Sequence, residues 1–542
     1  MLEGLMQHDY PLTLRLVLDR MRRLYADSEI VSVSGGDLTR ATYGEVVERI
    51  ERLAGALTEL GVGQGDRVAT FAWNTRQHLE AYMGVPCIGA VLHTLNVRLF
   101  ADQLTYIVNH AEDRVIIVED SLVPLLEKLA PTFETVEHYV VIGDGDTGEL
   151  PNALRYEELL EAQAPGYDFP EFDDRQAAGL CYTSGTTGNP KGVLYSHRSN
   201  VLHALGQCMA DSIGVTSDDR VMPVVPMFHA NAWGIPYGST FTGADLVMPG
   251  PNLKAEALAA LIENERVTVS AAVPVIWMDL LRYADEHHPD LSSMRLVICG
   301  GSAVPLALMQ QFDERHGVRI IQAWGMTETS PLGSTARPPE GVSEEEHWRY
   351  RATAGRPAAL VEARLVRDGA EEVPWDGTST GELEVRGPWV ARAYYRDEES
   401  ADKFDEGWLR TGDIAAIDER GYIIISDRAK DVIKSGGEWI SSVELENEIM
   451  AHPAVQEAAV IAMPHERWGE RPLACVVLEE GGELTLDDLR EHLTQRVAKW
   501  WLPDELAIVD EVPKTSVGKF DKKVLRRQLE EGRLERLGAA AG

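Results

Sequence analysis

The chain has few cysteines, a deficit of positive charge and no long apolar run. Its five cysteines (Cys87, Cys181, Cys208, Cys299 and Cys475) are scattered over 542 residues in mostly apolar contexts. They form neither a metal-ligand spacing nor a disulfide framework, which suits a reducing compartment. Cys181 lies in an apolar stretch and reads as packing, not as a nucleophile. No segment approaches the roughly 20 apolar residues of a membrane span. No basic region followed by an apolar one opens the chain as a secretion signal would. Together these absences predict a cytoplasmic protein without a transmembrane segment. Lys and Arg number 51 against 87 Asp and Glu, a formal net charge of −36. A surface of that sign disfavours nucleic acid and anionic lipid as partners, and any anionic ligand must be drawn by local positive sites. No repeat of about 20–50 residues is evident.

What is present is globular: 44% hydrophobic and 25% charged residues, in a chain long enough for two or more domains. The front half alternates helix and strand patterns. Thr42-x-x-Glu45 reads as a capping box before Val46, Val47, Ile50, Leu53, Ala54 and Leu57 on one helical face, with Gly61 placed to end the helix. Val68–Ala72 and Val115–Val118 read as strands and Arg76–Met83 as a helix. Such alternation predicts an α/β fold of helix-covered parallel sheets. Asp144–Asn152 reads as a surface loop and Pro338–Arg351 as a polar solvated excursion. Near Asp427 the pattern changes. Gly421–Ile425 ends a large N-terminal unit (1–426), and a capping box at Ser441-x-x-Glu444 with a strand at Ala458–Met463 opens a smaller α+β unit (427–542).

The chemistry is concentrated in Thr183-Ser184-Gly185-Thr186-Thr187-Gly188-Asn189-Pro190-Lys191-Gly192, directly after the apolar stretch Ala178–Tyr182. Glycines let backbone N–H groups turn toward an anion, hydroxyls add donors, and a lysine adds mobile positive charge. The run is not a Walker loop, because glycine and not Ser or Thr follows the lysine. Further motifs come in order: Pro226-Met227-Phe228-His229, Ala323-Trp324-Gly325-Met326-Thr327-Glu328, Trp408–Asp413, Asp427–Asp431 and Pro513–Lys519. In this set the chain resembles the adenylate-forming superfamily, and within it the acyl-CoA synthetases, from about Leu14 to Leu529.

That resemblance implies a large N-terminal domain, a small mobile C-terminal domain hinged at Asp427, and the substrates ATP, CoA and a carboxylic acid, with Mg²⁺. It implies that Thr183, Ser184, Gly185, Thr186, Thr187, Gly188 and Lys191 cradle the phosphates, with Ser184 and Glu328 toward the metal. Ser184 stands where threonine is common. Gly301, Ser302, Ala303, Ala323, Trp324, Gly325, Met326 and Thr327 line the nucleotide, Trp324 offering its face to adenine and Asp413 accepting from both ribose hydroxyls. Arg428, Lys430, Lys434 and Trp439 serve the nucleotide from beyond the hinge. Lys519, Glu328 and Thr187 are the implied catalytic residues: Lys519 bridges the acid's carboxylate and the α-phosphate, while Lys514 flanks its loop. Ser435, Gly436 and Gly437 line the CoA passage, and His229, Trp233, Val273 and Leu332 the acyl pocket.

The apolar and small pocket residues offer no partner for a substrate amino group, which disfavours an amino-acid adenylation domain. The overall pattern resembles medium- and long-chain fatty-acid CoA ligases. Ligases of 3-methylthiopropionate resemble it through the same motifs, so a short-chain acid stays open as the alternative. A luciferase-like monooxygenase and a noncatalytic nucleotide-binding regulator are further alternatives; the regulator is disfavoured because Lys519, Glu328 and the phosphate loop are all kept. A homodimer is expected by resemblance, with the arm Met1–Pro11 as a candidate contact.

Overall fold

The computed structural model describes residues 6–7, 9–183, 189–367, 371–428, 431–435, 438–479, 481–494, 496–515 and 520–538, with the side chains at 428, 438 and 439 outside that set. Four sheets organise these residues. The first runs in the order Ala153–Arg155, His138–Ile142, Asp113–Glu119, Arg67–Phe71, Val91–Thr94, Ala177–Tyr182, Gly192–Ser196. All its pairings are parallel except the last, where Ala177–Tyr182 and Gly192–Ser196 form an antiparallel hairpin across the phosphate loop. The second sheet is nine-stranded, with a parallel centre containing Val269–Ala272, Leu296–Gly300 and Arg319–Gly325, and antiparallel edges. The third is antiparallel and contains Trp408–Ile417 paired with Ile423–Arg428. The fourth, from Ile433 onward, is built round the long hairpin Val455–His465 and Gly469–Leu478.

The local signals explain these elements. Thr42 Oγ1 accepts the Glu45 N–H and the Glu45 carboxylate accepts the Thr42 N–H, starting the helix Tyr43–Glu59. Val46, Val47, Ile50, Leu53, Ala54 and Leu57 are buried along it, and Gly61, at φ +81°, turns the chain out past its end. The strand expected at Val68–Ala72 spans Arg67–Phe71 and that at Val115–Val118 spans Asp113–Glu119. The helix from Arg76 continues to Cys87, through Pro86 in its last turn. Ser441 Oγ accepts the Glu444 N–H to begin Ser442–Met450, and Val455–His465 supplies the strand expected at Ala458–Met463.

Two segments differ from the sequence reading. Pro338–Arg351 is not only a solvated excursion: Ser343 and Glu346 form a capping box that starts the helix Glu344–Arg351. Its end is anchored by Arg351, 2% exposed, which pairs with Asp313 at 2.7 Å and donates to the Ile320 carbonyl. The segment after His229, which by the same resemblance would enter a helix bordering the acyl pocket, does not do so directly. Ala230, Asn231, Ala232, Trp233 and Gly234 all have φ between +42° and +74°, and the right-handed helix begins only at Ile235. Four consecutive non-glycine residues in this region cost roughly 1–2 kcal/mol each, so their surroundings must hold them. Gln207 Nε2 donates to the Trp233 carbonyl, and Asn74, 4% exposed, bonds to Pro223 O, Val225 O and Met227 N just upstream.

Candidate functional site

The residues expected to line the nucleotide gather where the second and third sheets meet. Trp324 lies near the end of Arg319–Gly325, and its Nε1–H donates to Asp413 Oδ2 at 2.8 Å. Asp413, 3% exposed, lies on Trp408–Ile417, and its N–H donates to Thr411 Oγ1. Two motifs separated by 89 residues thus share one hydrogen bond. The indole is also fixed by what faces it: a Cβ on Gly333 would lie 2.3 Å from Trp324 Cζ3. Gly300 closes up against the same strand, since a Cβ there would meet the Ala323 carbonyl at 2.7 Å. Beyond it Gly301 turns at φ +87°; Ser302 is exposed, and Ala303, like Trp324, Gly325 and Met326, is half-buried.

Glu328 sits in the short turn Thr327–Thr329, 6% exposed, next to Thr327 at 9%. The Tyr195 hydroxyl donates to the Thr327 carbonyl at 2.7 Å, which ties this turn to the first sheet. The Tyr394 hydroxyl donates to Glu328 Oε1 at 2.6 Å, and the Ala391 N–H to the Glu328 carbonyl at 2.7 Å. Burial, and then the Glu328 charge beside it, hold the Tyr394 phenol well above its usual range.

Of the phosphate loop, Ser184, Gly185, Thr186, Thr187 and Gly188 lie outside the described residues. Its two ends are zipped together: the Thr183 N–H donates to Lys191 O at 2.9 Å, and the Lys191 N–H to Thr183 Oγ1 at 3.2 Å. The Lys191 ammonium lies 3.5 Å from Asp397, donates to Ser400 Oγ and sits 5.1 Å from the centre of the Tyr394 ring. Ser400 in turn donates to Asp397 at 2.8 Å. Burial opposes the Asp397 charge, but Ser400 and Lys191 outweigh it and hold the carboxyl below its usual range. Tyr394, Asp397 and Ser400 were absent from the sequence reading. Their only signal is two adjacent tyrosines in a charged stretch, which reads as a solvated loop. Cys181, 1% exposed, has its thiol pushed up by burial, in keeping with a packing role.

The residues assigned to the acyl pocket divide between two places. His229 faces a small recess with Thr94, Leu99, Tyr182, Thr183 and Phe228, on the phosphate-loop side. Trp233 approaches Gly300, whose Cβ would lie 3.5 Å from its ring, and Val273 stands half-buried ahead of the helix Pro274–His287. Leu332, 5% exposed, is held by both backbone groups: its N–H donates to His203 Nε2 at 3.1 Å and its carbonyl accepts from Trp389 Nε1 at 2.8 Å. His203 is thereby the neutral tautomer with its proton on Nδ1. Burial lowers its pKa to about 3.

Beyond Asp427 the picture is partial. Asp427, 1% exposed, accepts from the Ser442 N–H at 2.6 Å and from the Ser442 hydroxyl, so it holds the first turn of Ser442–Met450. Arg428 pairs with Asp413 across the strands Ile423–Arg428 and Trp408–Ile417, and Trp439 with Lys434, while the side chains of Arg428 and Trp439 fall outside the description. The Lys434 N–H donates to Glu470 at 2.7 Å, and Ser435 Oγ accepts from Arg471 at 3.1 Å. Lys430, Gly436, Gly437 and Lys519 lie outside the described residues; Lys514, at the near end of the last loop, pairs with Glu457 at 2.6 Å.

The site therefore combines a flat aromatic face, a carboxylate beside it, a second buried carboxylate and a lysine at the end of a glycine-rich loop. That combination suits a nucleotide whose phosphates run from Asp413 toward Lys191. Residues 20–395 match the family described as AMP-binding enzyme, and residues 444–519 the AMP-binding enzyme C-terminal domain. The chain is 43% identical to the 3-methylmercaptopropionyl-CoA ligase of Ruegeria lacuscaerulensis, over 96% of this chain and 98% of that protein. It is 46% identical to the long-chain-fatty-acid–CoA ligase of Thermus thermophilus, over 96% of each. Among solved structures it superposes on the anthranilate CoA ligase AuaEII in complex with anthranoyl-AMP with a TM-score of 0.87 and 28% identity, covering 97% of this chain and 99% of that one. On fold and sequence the chain belongs to the AMP-binding enzymes, and among them to the AMP-forming acyl-CoA ligases.

Proposed function

We propose that the chain converts an apolar straight-chain carboxylic acid of medium to long length, with ATP, into an acyl-adenylate and pyrophosphate, and then with CoA into the acyl-CoA thioester and AMP. The observation that carries the reading is the meeting of Trp324 with Asp413, within one site that also holds Glu328 and Lys191. A carboxylate oxygen leaves poorly, and transfer of AMP to it needs charge neutralisation more than proton transfer. Lys191 supplies positive charge at the loop end, and Lys519 is assigned to the acid's carboxylate and the α-phosphate. Asp413 accepts from the ribose hydroxyls, Thr187 and its neighbours bind the phosphates, and Arg428, Lys434 and Trp439 close over the nucleotide. His229, Trp233, Val273 and Leu332 border the acid, and Ser435, Gly436 and Gly437 the thiol's path.

A divalent ion fits the donor set as part of a nucleotide complex. Among the described residues no group of three or more His, Cys, Asp or Glu could hold a metal by itself, whereas Mg²⁺ characteristically uses one or two carboxylates with substrate phosphates. Glu328, with Ser184, would hold it there, and bound Mg²⁺ would neutralise charge on the polyphosphate oxygens. The units 1–426 and 427–542, turning about Asp427, would present the two half-reactions in succession. A homodimer and a cytoplasmic location complete the proposal; no helix among the described residues is long and apolar enough to cross a membrane.

A second reading, a ligase of 3-methylmercaptopropionate or another short acid, is favoured by the 43% identity to the Ruegeria enzyme. The test is CoA-dependent AMP and pyrophosphate release across straight-chain acids, 3-methylmercaptopropionate and aryl acids. An optimum among the longer apolar acids supports the first reading, and an optimum at the short sulfur acid the second. No AMP release with any acid overturns both.

A further inference from the structure

The groups assigned to the polyphosphate are already engaged by the chain itself. One short segment reaches both of them. The Ala391 N–H binds the Glu328 carbonyl and the Tyr394 hydroxyl its Oε1, while the Tyr395 N–H binds the Gly192 carbonyl at 2.8 Å, at the end of the phosphate loop. From the same segment Asp397 and Ser400 reach Lys191. Between Tyr395 and Asp397 the segment is anchored by Arg396, which forks onto Glu112 at 2.7 and 2.9 Å.

Asp397 offers Lys191 what a phosphate offers, an anionic oxygen acceptor, at a lysine side chain left 31% exposed. Asp397 is itself 21% exposed, so solvent screens the pair and the attraction is modest. A triphosphate brings several charged oxygens to the same ammonium and can take Asp397's place. We propose that Tyr394–Ser400 is an internal counter-ion strap of the phosphate subsite, in which Asp397 occupies Lys191 until ATP or pyrophosphate displaces it, while Tyr394 holds Glu328 in position. Asp397 is then a positioning residue that weakens the binding of free polyphosphate and speeds the departure of pyrophosphate. The proposal rests on the reading of Lys191 as a phosphate-binding residue.

The experiment is a double-mutant cycle on the full-length chain between Asp397→Asn and Lys191→Ala. The measurements are equilibrium affinities for ATP and for inorganic pyrophosphate, with KM and kcat for ATP alongside. Asp397→Asn is expected to tighten both ligands about fivefold, the scale of one screened ion pair. It should also lower KM for ATP without raising kcat, and have no effect in the Lys191→Ala background. Ser400→Ala, which removes the hydroxyl between the two charges, should shift affinity the same way by less, and it carries the test if Asp397→Asn does not fold. If Lys191→Ala weakens ATP while neither strap variant tightens it, the strap is overturned and the nucleotide site stands. If Lys191→Ala leaves both affinities unchanged, the phosphate assignment of Lys191 falls and the strap with it.

Discussion

The two ends of the nucleotide site are prepared differently. At the proposed adenosine end the groups hold their own shape. Trp324 is fixed against Gly333 and hydrogen-bonded to Asp413, the carboxylate proposed to accept from a diol. At the proposed phosphate end the charged groups are already engaged, Lys191 by Asp397 and Ser400, which the proposed strap gives up to a polyphosphate, and Glu328 by Tyr394, which stays in place. A flat, weakly polar surface can be left waiting at little cost. A lone charge in a half-buried place cannot, because desolvation without a partner is costly. Rigidity suits adenine and exchange suits phosphate.

This contrast can be broken by substitution. The largest effect is expected between the two ends, at the α-phosphate. Lys519→Ala should slow acyl-adenylate formation about 10²–10³-fold, the usual loss when one preorganised charge donor is removed, while thioester formation from supplied acyl-adenylate persists. Equal loss of both half-reactions, measured in single turnovers, would count against the assignment. Next comes Asp413→Asn, which should raise KM for ATP about tenfold or more, as expected for hydrogen bonds to a charged group, and make ATP and 2′-deoxy-ATP nearly equivalent; retained discrimination would remove Asp413 from the ribose.

Gly333→Ala sharpens the comparison. Its new methyl must push the Trp324 ring aside, at about 1–3 kcal/mol, so thermal stability and ATP affinity should fall while pyrophosphate affinity holds. A parallel fall in pyrophosphate affinity would mean that the two ends are not independent. Acid probes a group outside both ends. His203 titrates near 3 in the folded chain against an ordinary value of 6.5. The unfolded chain therefore binds the extra proton first, and stability is lost as pH falls from about 6.5 toward 3, by up to about 1.4 kcal/mol per pH unit. His203→Gln, whose amide oxygen can accept the Leu332 N–H, should flatten that slope in urea titrations at pH 5 and 7. An unchanged slope would assign the acid lability to other groups.

Much of the frame was readable from short-range rules. Thr42/Glu45 and Ser441/Glu444 marked helix starts because a cap is a local bargain between residues three apart. The strand flanking the phosphate loop was visible as an apolar run, and the order of motifs led to Trp324 and Asp413, though no spacing could foretell their mutual hydrogen bond. The left-handed turn at Ala230–Gly234 escaped because in Ala-Asn-Ala-Trp only Asn231 takes positive φ readily; contacts distant in sequence impose it on the others. Arg351 escaped for a related reason, since a polar run gives no sign of which charge finds a buried partner. The strap was the least legible. Tyr394, Asp397 and Ser400 have meaning only through Lys191 and Glu328, 209 residues away at the farthest hydrogen bond and 66 at the nearest.

For anyone wishing to redirect this enzyme toward other acids, the double backbone attachment of Leu332 has a practical meaning. Its main chain is held by His203 and Trp389, while its side chain packs in the apolar cluster of Leu365, Leu383 and Leu409, so a change of side chain there is felt by that core and not by the backbone. Under the proposed assignment of Leu332 to the acyl pocket, a library at this one position would vary the pocket with the main chain held, whereas changes at 203 or 389 would shift that main chain.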